Sequence, residues 1–211
     1  MQNITLISTI HKKIGKCTAD ELCEILEEVS PEVVFLEALD NTYSNYDKTM
    51  FSTFGLYHGK LELEAIQKYS NHTSVEYVPV LDNGLTDLFD EKYKRVLENN
   101  QLQQMLDEFN LLAKSKGFQF LNSQLCLDLH QKMRTFEDHL LRNTQLNATV
   151  IADINAYENS MMQNIYSYCI INRFEKAVFL CGSAHRGSLI EKIRHFQEKE
   201  NMEINWVVYG D

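Results

Sequence analysis

Two short apolar runs, each ending in a turn that carries a histidine, constrain the fold of this chain more than any other feature. Residues 177–180 (AVFL) lead into the turn Cys-Gly-Ser-Ala-His, which ends at His185 and is followed by a helical pattern. Residues 4–7 (ITLI) lead into Ser-Thr-Ile-His, which ends at His11. Buried strands have this length and apolar character, and glycine marks turns. The sequence therefore predicts two strands whose ends each present a histidine.

A strand–helix–strand unit is predicted between the first histidine turn and residue 37. Thr18 and Glu21 have the spacing of a helix capping box, and the helix is expected to end just before Pro31, because proline disfavours helix in the residue before it. Residues 33–36 (VVFL), closed by Glu37, then predict a second buried strand. This order of elements predicts parallel strands joined by a right-handed crossover.

The remaining pattern predicts one α/β domain that spans residues 1–211. Between residues 85 and 173 apolar residues recur at helical spacing without a convincing strand, which predicts a helical insertion or cap. Residues 41–59 are polar and aromatic without a sustained period, so we expect a long loop or broken helix there. The central sheet is expected to be mainly parallel with flanking helices. Its further strands are predicted at residues 75–81, 177–182 and 204–209.

Charge and cysteine content exclude several classes of protein. The 30 acidic residues exceed the 20 basic ones, which are scattered, so nucleic-acid binding through clustered Lys and Arg is not expected. Five cysteines without a CxxC motif fit neither a disulfide framework nor a zinc ribbon, and we expect reduced, mostly buried thiols. No basic leader and no run of about 18 apolar residues is present. A cytoplasmic protein without a membrane partner is therefore expected.

A site is predicted at the carboxyl edge of the sheet, where ligands of open parallel sheets bind. That edge is expected to collect His11, Glu37, Asp82 and His185. Two imidazoles with one or two carboxylates would hold a divalent metal such as zinc, manganese or iron and leave a position open for water. The metal would lower the pKa of that water, and a carboxylate that is not a ligand would act as general base. Hydrolysis is the expected reaction.

Each of these residues also has a structural interpretation. A histidine at the end of a strand is often a turn residue, and Glu37 has helix capping as a rival role. Asp82 precedes Asn-Gly, so an Asx turn is favoured for it. Cys181 is expected to be a buried thiol rather than a nucleophile. The other histidines, including His130, have no comparable setting and are expected to be solvated or to lie on helix surfaces.

Three motifs stand in order along the chain, at residues 8–11 (STIH), 31–37 (PEVVFLE) and 182–185 (GSAH). Together they resemble the TraB/PrgY and Tiki superfamily, which also includes erythromycin-esterase and ChaN-like haem-binding branches. The resemblance spans nearly the whole chain. The family has two GxxH motifs, one near each end of the domain, and a glutamate that closes the second strand; here serine replaces the first glycine. The resemblance implies metal or catalytic roles for His11, Glu37 and His185.

The resemblance also implies roles for two further carboxylates. Glu64 follows the long loop, where the family often has a carboxylate, and Glu158 lies in residues 157–165, which are similar to the family's Arg-Glu-Arg-x-Met-Ala segment. Either would supply a base or a substrate contact. Tyr157 and Asn159 stand where the family has arginines, whose fixed positive charge would hold a substrate carboxylate or transition-state charge.

Two functions are compatible with these patterns. The leading one is a metal-dependent hydrolase of TraB/Tiki type that acts on a peptide or ester, with a small-molecule or peptide substrate. The alternative, favoured by the missing arginine, is a non-catalytic module of the same fold that binds a ligand such as haem under the cap, or a partner protein through residues 43–57. A homo-oligomer with the cap helices at its interface is a further possibility.

Overall fold

A computed structural model describes residues 1–39, 60–142, 144–199 and 202–210. These residues form five strands and eight α-helices around one sheet, and the predicted α/β class is confirmed. The predicted loop at 41–59 lies outside the described residues. In chain order the elements are β1 (Gln2–Thr9), α1 (Ala19–Val29), β2 (Val33–Leu39), α2 (Leu61–Ser70), β3 (Glu76–Leu81), α3 (Asp87–Val96), α4 (Asn100–Lys116), α5 (Phe118–Leu121), α6 (Gln124–Leu140), α7 (Gln145–Ile171), β4 (Lys176–Gly182), α8 (Arg186–Lys199) and β5 (Ile204–Val208).

The sheet is parallel throughout, with strand order β3-β2-β4-β1-β5. Strand β4 lies between β1 and β2; Gly182 at its end pairs with Thr9 of β1, and Leu180 pairs with Leu36 of β2. The carboxyl ends of β1, β2 and β4 are therefore adjacent. The residues that end or follow these strands meet at one edge of the sheet.

Local signals in the sequence account for the first crossover helix. The hydroxyl of Thr18 accepts a hydrogen bond from the backbone N–H of Glu21 (3.1 Å), as in the predicted capping interaction. Ser30 adopts the left-handed conformation (φ 55°) directly before Pro31 and ends the helix. The observed bounds of α1 and of the strands around it thus follow the sequence closely.

Alternate strand residues pack into two hydrophobic clusters, one on each face of the sheet. Ile7 and Leu36 face α1, α2 and the helices α4 to α6, whereas Leu6 and Phe35 face α7 and α8. The described part of 85–173 contains helices α3 to α7 and no strand, as the periodicity predicted. These helices contribute to both clusters and so cover both faces of the sheet.

The composition led us to expect reduced, mostly buried cysteines and no segment that crosses a membrane. All five cysteines are free and buried, as predicted. In the ranges that the structure describes, no helix has the length together with the apolar character that crossing a bilayer requires.

Candidate functional site

Three predicted residues converge at the carboxyl edge of the sheet. His11 follows β1, Glu37 lies in β2, and His185 ends a 3-10 turn, Ser183–His185, that joins β4 to α8. Gly182 lies between them: a Cβ atom there would be 3.3 Å from Oε2 of Glu37, 3.3 Å from Nε2 of His11 and 3.7 Å from Cδ2 of His185. Glycine therefore leaves the space in which the three side chains approach one another.

The side chain of Glu37, which is 6% exposed, places a negative charge at the centre of this site. Its Oε2 accepts hydrogen bonds from the backbone N–H of Gly182 (2.6 Å) and the thiol of Cys181 (3.1 Å). Burial alone raises the pKa of Glu37, but the charges of His185 and His11 and the Gly182 N–H outweigh it, so that the pKa lies below its usual value. The carboxylate is thus ionised at neutral pH and surrounded by donors.

His11 is held from its far side by a second carboxylate. Its Nδ1 lies 3.1 Å from Oε1 of Glu62, which also accepts a hydrogen bond from the hydroxyl of Thr9 (2.8 Å). Its Nε2 lies 4.0 Å from Oε2 of Glu37, and 60% of the side-chain surface is exposed. The hydrogen bond to Glu62 raises the pKa of His11 against the opposing effect of burial, and the charges of both glutamates add to the increase.

His185 is held in the same way but in the interior. Its Nδ1 lies 2.8 Å from Oε1 of Glu158, and its Nε2 lies 3.5 Å from Oε1 of Glu37. Glu158 is 1% exposed and also accepts a hydrogen bond from the hydroxyl of Ser188. The ring of Tyr157 stacks on the imidazole, with centroids 5.5 Å apart and planes 30° apart. Only 12% of the His185 side chain is exposed, so its ring is fixed more firmly than that of His11.

The two imidazoles therefore share one chemical arrangement. In the neutral form each donates its Nδ1–H to a glutamate, and its Nε2 keeps a lone pair on the side of Glu37. Histidines that bind metals are oriented by carboxylates in the same way. This arrangement can accept a cation or a proton between the rings and Glu37.

Tyr157 contacts Glu37 as well as His185. Its hydroxyl donates to Oε1 of Glu37 (2.8 Å). Burial, and then the charge of Glu37, raise its pKa far above the usual value, so the phenol keeps its proton. Tyr157 therefore serves as a hydrogen-bond donor to Glu37, a contact that the resemblance did not imply.

Glu64 contacts two lysines rather than the histidines of the site. It forms ion pairs with Lys13 and with Lys68 (3.2 Å), whereas its neighbour Glu62 contacts His11. Helix α2 begins at Leu61, and residues two apart on a helix point in different directions. The alternating Leu-Glu-Leu-Glu sequence could not indicate which glutamate faces the site before the start of the helix was known.

Two other candidates lie beside the site. Asp82 accepts hydrogen bonds from Ser160 (2.7 Å) and Asn164 (3.0 Å), which lower its pKa and tie the end of β3 to α7. Asn159, where the resemblance implies an arginine, accepts a hydrogen bond from Nζ of Lys192 (2.9 Å). That ammonium group also lies 3.9 Å from Oε2 of Glu158, so a cation of α8 stands next to the buried carboxylate.

The expectation of a solvated surface was wrong for His130. Its Nε2 lies 3.1 Å from the hydroxyl of Ser183, and its ring packs against Phe109 with centroids 5.0 Å apart. One helical turn further along α6, Arg134 donates to the carbonyl of Ala184. Burial first, and then the charges of Arg134 and His185, lower the pKa of His130 to about 4. Helix α6 thus makes hydrogen bonds to the turn that presents His185. No local sequence pattern predicts this long-range contact.

A cleft opens on the His11 side of the site. Its walls combine apolar side chains with the polar groups of the site and one lysine. The lining residues are His11, Leu36, Glu37, Ala38, Leu39, Lys60, Glu62, Leu63, Leu81, Gly84 and Tyr157. A bound molecule in this cleft would reach His11 and Glu37, whereas Glu158 lies behind His185.

The described part of the chain holds no group of three His, Cys, Asp or Glu side chains at the spacing of a preformed metal site. Comparison with protein-family models, curated proteins and solved structures gave no match to this chain. The resemblance to the TraB/Tiki superfamily therefore stays a prediction. The geometry around Glu37 is what bears on function.

Proposed function

We propose that this protein is a metal-dependent hydrolase of TraB/Tiki type that acts on a peptide or ester bond. His11, His185 and Glu37 would hold a divalent zinc, manganese or iron ion. The observation that carries the proposal is the pair of contacts from Nδ1 of His11 to Glu62 and from Nδ1 of His185 to Glu158. Both contacts leave an Nε2 lone pair on the side of Glu37, as metal-binding histidines require.

The distance between His185 and Glu37 fits two ligands of one metal ion better than the distance between His11 and Glu37 does. Two ligands of a tetrahedral zinc ion lie roughly 3.4 Å apart, given bonds of about 2.0–2.2 Å. The distance from Nε2 of His185 to Oε1 of Glu37 is 3.5 Å, which matches, and that from Nε2 of His11 to Oε2 of Glu37 is 4.0 Å, which is longer. Because the His11 ring is largely exposed, it can turn toward a metal held on Oε1 of Glu37.

The residues around the site would then have separate roles. A metal bound there supplies a water of lowered pKa and polarises the substrate carbonyl. Glu62 and Glu158 hold the protons on Nδ1 of the two imidazoles. Since Glu158 is 1% exposed and bonded to His185 and Ser188, it orients its histidine rather than acting as a base. Glu64, paired with Lys13 and Lys68, has no place in the proposed reaction.

Metal titration of the purified chain tests this proposal. Metal-stripped wild type is expected to take up one zinc or manganese ion per chain, whereas His11→Ala and His185→Ala bind it at least tenfold more weakly. His139→Ala, an exposed histidine of α6, is the matched control and should bind like wild type. Equal uptake by all four proteins, or no uptake by wild type, would refute the metal site. Loaded wild type is then assayed on a panel of peptides and esters.

A non-catalytic ligand-binding module is the second candidate. It is favoured by His11, whose ring is anchored at Nδ1 while most of its surface is exposed, a setting suited to an axial ligand of haem iron. A haem titration is expected to give a Soret shift that is lost in His11→Ala. A shift that persists in that variant would argue against this candidate. A partner-protein contact through residues 43–57 lies outside the described residues.

We also propose a cytoplasmic location and a homo-oligomer. The location is supported by five free, buried cysteines, because thiols persist in reducing compartments. The oligomer would use the cap helices as its interface, where α4, α6 and α7 expose Leu111, Leu125 and Ile151. Gel filtration with light scattering tests the assembly, and a strictly monomeric mass would refute it.

A further inference from the structure

The carboxylate of Glu37 has almost all of its hydrogen-bonding positions filled. An ionised carboxylate offers about four lone-pair positions, two on each oxygen. On Oε2 both are used, by the backbone N–H of Gly182 at 2.6 Å and the thiol of Cys181 at 3.1 Å. On Oε1 one is used, by the hydroxyl of Tyr157 at 2.8 Å. Among the residues described, three donors thus leave a single position of Glu37 open.

The open position lies on the oxygen nearest to His185. Oε1 of Glu37 is 3.5 Å from Nε2 of His185. Tyr157 donates a hydrogen bond to this oxygen and stacks on the His185 ring. One side chain therefore fixes the position of the Glu37 carboxylate relative to the His185 imidazole. The tyrosine itself is carried by α7, whose next residue, Glu158, holds Nδ1 of the same imidazole. Two adjacent residues of one helix thus orient both partners.

We infer that Tyr157 is a positioning residue that leaves Glu37 a single free lone pair on Oε1, the oxygen that lies 3.5 Å from Nε2 of His185. This inference rests on the proposed function in so far as Glu37 is a metal ligand. It follows that Glu37 would bind the metal through one oxygen, with the second oxygen retained by Gly182 and Cys181. Removing the phenolic hydroxyl opens a second position on Oε1 and leaves the orientation of this oxygen less fixed.

Cobalt binding by Tyr157→Phe tests the inference, because cobalt substitutes for zinc and its visible spectrum reports coordination geometry. Affinity is measured in competition with a chromophoric chelator. The variant is expected to bind cobalt about tenfold more weakly than wild type, in the range typical when an outer-shell partner is lost. Its visible bands should also change, because Oε1 of Glu37 loses the hydrogen bond that fixes its orientation and the ligand geometry around cobalt is altered. Tyr157→Phe keeps the ring, so the packing on His185 is preserved.

Tyr168→Phe is the matched control, since it removes an equivalent bond on the same helix. The hydroxyl of Tyr168 donates to Oε2 of Glu76 at 2.9 Å, three helical turns away from Tyr157. This variant should match wild type in cobalt affinity and spectrum. A general loss of helix stability would affect both variants, whereas positioning of Glu37 affects Tyr157→Phe alone.

A metal-free measurement separates this inference from the proposed function. In urea unfolding, Tyr157→Phe is expected to lower the midpoint in the wild-type background and to leave it unchanged in the Glu37→Leu background. If wild type binds no metal, the proposed metal site is refuted. If the two substitutions are nevertheless coupled in this way, Tyr157 is still the residue that positions Glu37. Additive midpoints, or equal cobalt affinity and spectra in wild type and Tyr157→Phe, would overturn the inference.

Discussion

The two histidines of the site differ mainly in how much freedom their surroundings leave them. His185 is 12% exposed and packed under Tyr157, whereas the ring of His11 is 60% exposed beside the cleft. The carboxylates behind them are both buried, and a buried charge is tolerated only when donors surround it. The His185 side is therefore preorganised, and the His11 side can adjust to a bound ion or molecule.

Substitution of the glutamate behind His11 tests whether that contact matters for metal binding. Glu62→Gln is expected to weaken the affinity for zinc or manganese by about 10- to 100-fold, because an amide holds the Nδ1–H less firmly than a carboxylate. Competition titration with a chelator measures it. The control is Glu64→Gln, which removes ion pairs with Lys13 and Lys68 and should leave the affinity unchanged. Similar losses in both variants would contradict this assignment.

His130 is expected to make stability depend on pH. Its pKa is about 4 in the folded protein, against about 6.5 in an unfolded chain, so the unfolded state binds more protons between these values. Its contribution is complete above about pH 6.5 and is lost as the pH falls toward 4, by up to about 3 kcal/mol. Urea unfolding from pH 7 to pH 4 should show this excess loss in wild type relative to His130→Gln.

The corresponding control is His139→Gln, an exposed position on the same helix. It should follow the wild-type dependence on pH. If His130→Gln also lost stability as steeply as wild type, other groups would be responsible for the acid sensitivity.

The bounds of helices and strands can be predicted from local sequence more readily than the contacts between them. The bounds of α1 follow from a cap and a proline that lie within the segment itself. Contacts between side chains that are far apart in the sequence have no such local signal. Glu62 is 51 positions from His11, and His130 is 53 positions from Ser183, so the packing of α2 and α6 on the sheet decides these contacts. The sequence could therefore predict that His11, Glu37 and His185 meet at the carboxyl edge of the sheet, although β2 continues past Glu37 to Leu39, but it could not predict the residues that hold them.

The helices between residues 85 and 173 include a buried ion pair that tests how they are held together. Nζ of Lys92 in α3 lies 2.8 Å from Oε2 of Glu137 in α6, and the two side chains are 6% and 8% exposed. Glu137→Leu alone is expected to lower the free energy of unfolding by about 3 kcal/mol or more, because it leaves a buried charge unpaired. The double variant Lys92→Met/Glu137→Leu should recover most of this loss.

Denaturant unfolding measures all of these variants. The matched control is the exposed pair formed by Arg95 and Glu91 on α3. Arg95→Met should change the free energy of unfolding by less than about 1 kcal/mol, since solvent screens exposed pairs. A double variant no more stable than Glu137→Leu would show that the pair itself, rather than the unpaired charge, determines stability there.

At the scale of the whole molecule, the strand order creates the site. Strand β4 inserts between β1 and β2 although about 140 to 170 residues separate their sequences. The parallel class and the edge that holds the site were predictable, because they follow from element order and from the general behaviour of such sheets. The order itself was not, since pairing between distant strands leaves no local pattern. That order makes Gly182 the point where three separate parts of the chain meet.

Because the proposed metal would join the ends of β1, β2 and β4, its binding should stabilise the entire sheet. At about 100 times the dissociation constant, a ligand specific to the folded state contributes about 2.7 kcal/mol. For a chain of this length that corresponds to a rise in Tm of about 5–10 °C. Thermal unfolding of metal-stripped wild type with and without manganese measures it. His185→Ala should show no rise, and a chelator should reverse the rise in wild type. An unchanged Tm at saturating metal would mean that the three strand ends are held by protein contacts alone.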